Sequence, residues 1–121
     1  MGPYTLIPGK PKRLLTAATT GNGAIFVPDG AIARATIVLQ STGTTSGGAV
    51  SIEECYFDNI GTVDGIEYAG TWSVIQSVSA STFTGGAQVV VHVLGSVWAL
   101  RCRISSTITG GGTVDAWVYG N

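Results

Sequence analysis

Short apolar runs, each ended by a glycine pair or triplet, fill the chain from residue 14 to its end. Glycine accepts the positive φ that tight turns require, and it weakens any strand or helix it interrupts. Between these stops the side chains alternate with period two. In Ala33–Gln40, Ala33, Ala35, Ile37 and Leu39 share one face, while Arg34, Thr36, Val38 and Gln40 share the other. No window combines helical spacing, a cap and enough length for a helix. The chain therefore reads as all-β, an antiparallel, jelly-roll-like β-sandwich closed so as to avoid bare edges.

The expected strands are Leu14–Thr20, Ala24–Val27, Ala33–Gln40, Ala49–Phe57, Trp72–Ala80, Gln88–Leu94, Val97–Ser105 and Val114–Tyr119. Turns fall at 21–23 and 28–30. Residues 41–48 read as an exposed Thr/Ser/Gly loop without an apolar anchor, and 58–70 as an irregular acidic segment. The links in the second half are short, which predicts that most successive strands are antiparallel neighbours. Consecutive valines in Val89–Val93 predict a strand covered on both faces. In the next strand Trp98, Leu100, Cys102 and Ile104 share a side, opposite Arg101 and Arg103. In the last, Val114, Ala116 and Val118 point inward, with Asp115, Trp117 and Tyr119 outward. Arg101 or Arg103 is expected to pair with Asp115 across strands.

Residues 1–12 contain Pro3, Pro8 and Pro11 and lead into Lys10, Lys12 and Arg13. Proline fixes φ and removes a ladder donor, so this part reads as an extended arm preceding a single domain at 13–121. The 121 residues leave room for one core.

Charge is scarce. Asp, Glu, Lys and Arg make up 11% of the chain, against about 25% in ordinary soluble domains. A small domain this apolar is expected to hide part of its surface against protein. The net charge of −1 offers no field for nucleic acid or acidic lipid, and no apolar run is long enough for a membrane helix. The first residues lack the pattern of a secretory signal, so the chain is expected to act without export. Cys55 and Cys102 are then expected to be reduced, buried thiols.

Nothing in the sequence points to an enzyme. His92, the single histidine, sits in a valine strand and reads as a hydrogen-bonded core or interface residue. No G-x-S-x-G elbow presents a serine. Glu53 and Glu54 are adjacent in a strand and point to opposite faces, and with Asp58, Asp64 and Glu67 they match no calcium loop. The glycine clusters precede no helix that would receive a phosphate. No cofactor or metal is expected. The candidate interaction residues are Lys10 and Lys12 on the arm, Arg13 directly after it, and Trp117 and Tyr119 at the end. The two aromatics have three readings: a subunit contact, a sugar-stacking platform, or core.

Three stretches carry a resemblance: Gly-Gly-Ala-Val-Ser-Ile-Glu at 47–53, Gly70-Thr71-Trp72-Ser73-Val74, and a closing pair of strands. That pair is Leu100-Arg101-Cys102-Arg103-Ile104-Ser105, then a glycine-rich turn and Thr113-Val114-Asp115-Ala116-Trp117-Val118. The segment from Gly48 onward resembles small virion proteins of tailed bacteriophages. The resemblance implies a capsid decoration, or cement, protein: a homotrimer made in the host cytoplasm that sits on the major capsid protein and stabilises the shell. The alternative it implies is a tail, fibre or baseplate module that binds host glycans through Trp117, Tyr119 or Trp72.

Overall fold

The computed structural model describes residues 11–26, 32–55, 72–97 and 99–120. Among these, seven strands form two antiparallel sheets: β1 (Lys12–Ala18), β2 (Ile32–Thr42), β3 (Gly47–Cys55), β4 (Ser73–Ser79), β5 (Gln88–Val97), β6 (Ala99–Thr109) and β7 (Thr113–Gly120). One sheet runs β1-β7-β2-β5 and the other β4-β3-β6. The expected strand at 24–27 is thinner than its sequence implied. Asn22 and Phe26 each make an isolated bridge, to Arg103 and Leu100 of β6, supported by Gly23 and Phe26 N–H groups donating to Cys102 and Leu100 carbonyls. This stretch extends the second sheet beyond β6.

The expected arm of residues 1–12 lies mostly outside the described residues, and Lys10 with it. Lys12 already belongs to β1, opposite Val118.

The period-two pattern holds where it was clearest. Ala35, Ile37 and Leu39 of β2, Val91 and Val93 of β5, and Val114, Ala116 and Val118 of β7 face Val50 and Ile52 of β3 and Leu100, Cys102 and Ile104 of β6 in one core. Phe26 and Phe83 are fully buried in it.

Strand order departs from expectation. β3 and β4 are the one pair of successive strands that hydrogen-bond to each other, and they are joined by the longest link. The described short links, at 43–46, 80–87 and 110–112, all cross from one sheet to the other. A hairpin and a sheet-crossing corner use the same glycines. The core decides between them, because each strand's apolar face must find an opposing layer about 10 Å away.

Residues 41–48 are only partly the exposed loop expected: Thr42, Gly43, Thr44 and Ser46 are exposed, but the segment is anchored at two positions. β2 continues to Thr42, β3 begins at Gly47, and Ser41 and Thr45 are buried. Their hydroxyls are satisfied by the 3₁₀ segment Ala80–Gly86, which drops Phe83 into the core. Ser41 Oγ donates to the Phe83 carbonyl and accepts from Gly86 N–H at 3.1 Å. Thr45 Oγ1 donates to the Ala80 carbonyl at 2.9 Å, and Thr45 N–H to Thr84 Oγ1 at 2.8 Å. Buried hydroxyls with partners cost little, so a polar loop becomes an internal seam.

Candidate interaction surfaces

The outer face of the β1-β7-β2-β5 sheet gathers most of the expected contact residues. Registers align Arg13, Trp117, Val38 and Val90 in one row across the four strands. The row beside it is Tyr119, Thr36 and His92, and on the other side Asp115, Gln40 and Gln88. Trp117 is half-buried and flanked in sequence by the core residues Ala116 and Val118, so the core reading is excluded for it and for the exposed Tyr119. Its ring is capped by the Arg13 guanidinium, 4.7 Å from the centroid. A sugar stacking there would first have to displace that cation.

Asp115 holds this corner together. It accepts from Arg13 Nη1 and from Ala17 N–H, each at 2.9 Å. Ala17 has φ 44°, and β1 slips register on both sides of Leu15. Such bulges twist an edge strand away from further pairing. The expected partnership of Asp115 with Arg101 or Arg103 does not form, because β6 and β7 lie in different sheets.

Valine content misled at β5. Val91 and Val93 are buried, but Val90 is 49% exposed and His92 is exposed. β5 is the edge of its sheet, and no described strand lies over its outer face. His92 Nδ1 lies 3.2 Å from Thr36 Oγ1 across the strands, a surface hydrogen bond. On the same side of the sandwich β4 edges the other sheet, with Val74 56% and Ile75 36% exposed. Neither strand carries an Asp, Glu, Lys or Arg.

The second charged cluster was not visible in the sequence. On the outer face of β4-β3-β6, Glu53 is 3% exposed and accepts from Arg101 Nε at 2.8 Å, Arg103 Nε at 2.9 Å and Ser51 Oγ at 2.8 Å. Arg101 in turn lies 4.4 Å over the Trp72 ring. Burial alone would push the Glu53 carboxyl up, but the bonds from Arg103, Arg101 and Ser51 outweigh it and hold it below its usual value. The signal that would have found this cluster is the pairing of β3 with β6, which sets Glu53 opposite Arg101.

Cys55 and Cys102 form no disulfide and are buried, as expected. Cys102 pairs with Ile52 in the core, while Cys55 stands three positions further along β3, on the opposite face. Burial raises both thiols, and with help from the Glu53 charge it pushes Cys102 up to about 12.

An open groove of about 460 Å³ follows β1 from Arg13 to Ala24; its single ionisable lining residue is Arg13, so it offers no acid–base pair. Among the described residues no three His, Cys, Asp or Glu gather to hold a metal, and no helix is long and apolar enough to cross a membrane. Asp58, Asp64 and Glu67 lie outside the described residues. No protein-family model, no curated protein and no solved structure matches the chain.

Proposed function

We propose that this chain is a structural subunit of a virus particle, a capsid decoration protein that forms homotrimers and cements the shell of a tailed-bacteriophage head. The observation that carries this reading is where the surplus apolar surface lies. The core is filled, yet valine and isoleucine remain in water on the two uncharged strands that border one side of the sandwich. Bare, uncharged edges are a hazard that a solitary protein guards with lysine, proline or a bulge. The β1 edge has two register shifts and a salt bridge from Arg13 to Asp115, whereas β4 and β5 have one shift each against their neighbours and no Asp, Glu, Lys or Arg. Contact with other copies, and with the shell, covers what a lone subunit leaves open.

The strand order supports the reading. Counting 21–26 as the outermost strand beside β6, the eight strands pair in the order of a jelly roll, an architecture shared by viral capsid and lectin domains. Fold alone does not select between these uses. The arginine over Trp117 and the arginine over Trp72 weigh against the glycan reading, because a sugar platform needs a bare aromatic face.

Sedimentation of the purified protein at micromolar concentration tests the assembly. A species of three 12.4 kDa chains is expected, and a persistent monomer overturns the reading. Saturable binding to shells of the major capsid protein from the same phage tests the attachment.

A further inference from the structure

We infer that Arg101 and Arg103 form a carboxylate-binding site on the outer face of the β4-β3-β6 sheet, filled by an acidic side chain of a partner protein. Both arginines meet Glu53 through Nε. No hydrogen bond from the terminal amino groups of the two guanidinium ions to a described residue accompanies these Nε bonds, and those groups are the pair of donors that grips a carboxylate end-on. Arg101 is the sharper case. Its side chain is 16% exposed and stacked on Trp72, so water reaches it poorly while its terminal donors meet no acceptor among the described residues. Arg103, at 39%, keeps the site open to an incoming group.

Charge selects the ligand class. Among the described residues two guanidinium ions share one buried carboxylate, which leaves a single positive charge. That balances one carboxylate and undercompensates a phosphate or a polyanion. Glu53 and Trp72 also hold the arginines in place before anything binds, so little side-chain freedom is lost on docking. Asn22, bridged in register to Arg103, adds an amide on the same side. The inference rests on the assembly reading only for what carries the carboxylate.

The probe is a hexaglutamate peptide titrated into the full chain, read from the arginine side-chain NH resonances and from affinity. Saturable shifts at Arg101 and Arg103 are expected, weakening as salt is raised. Arg103→Gln, checked for native circular dichroism, should lose affinity about tenfold or more. Arg103→Lys should recover only part of it, since an ammonium has no fork. Thr107→Gln, an exposed β6 control, should bind like the wild type. Absent shifts, equal affinity in Arg103→Gln, or tighter binding of a phosphorylated peptide or an oligothymidylate would each overturn the site. A monomer that binds the peptide sinks the assembly reading and leaves the site standing. A trimer that ignores the peptide does the reverse.

Discussion

Glu53 is where local chemistry matters most. Two arginines and a serine converge on one carboxylate that water barely reaches. Glu53→Gln would leave two guanidinium ions without their shared counter-charge, and a loss of about 3 kcal/mol in urea unfolding is expected. Because the folded carboxyl titrates below its usual value, its contribution is complete above about pH 4.5. It is lost as the pH falls through the folded value, so wild-type stability should drop in acid and Glu53→Gln should flatten that drop. The thiols act at the other end of the scale. Unfolded Cys102 ionises near 9 while the folded thiol holds its proton to about 12, so stability should decline as the pH rises between these values. At neutral pH both cysteines should resist a thiol reagent until the chain unfolds.

Among the elements, the 3₁₀ segment and the glycine corners do what strands cannot. Phe83 is fully buried at the point where Ser41 and Thr45 are stitched to the segment's carbonyls. Phe83→Ala is expected to cost about 3–5 kcal/mol by thermal or urea unfolding, because the cavity opens beneath a hydrogen-bonded seam that cannot collapse freely. At the β6–β7 corner Gly110 has φ 107°, and a Cβ there would lie 2.8 Å from the Ser46 backbone nitrogen. Gly110→Ala should therefore destabilise by about 1–3 kcal/mol, the strain of a left-handed alanine and the forced shift of its neighbour. The glycine triplet was readable as a turn. That the turn changes sheets was not, because the same residues suit a hairpin.

For the whole molecule the question is which surface is left for others. β1 is bulged and tied to Asp115, whereas β4 and β5 are uncharged and partly bare. Val90→Lys places a charge in the row that runs from Arg13 through Trp117 and Val38. It should shift the sedimenting species toward monomer while leaving the unfolding midpoint within about 0.5 kcal/mol, as an exposed substitution does. Unchanged assembly would remove this face from the contact. Deleting residues 1–10 keeps all of β1, so the fold should survive; weaker binding to shells would assign the arm a gripping role.

Alternation within each strand is a local property, set by adjacent side chains pointing to opposite sides of the backbone. For that reason the inward Leu100, Cys102 and Ile104, the outward Trp117 and Tyr119, and the all-β class were legible before any coordinates. Pairing partners are not local. Whether Arg101 meets Asp115 or Glu53, whether Thr45 sits in water or bonds the Ala80 carbonyl, and whether Val90 is covered all depend on which strands become neighbours. That choice is made by the packing of two sheets around one core, a balance of contacts distant in sequence that no single run of residues encodes.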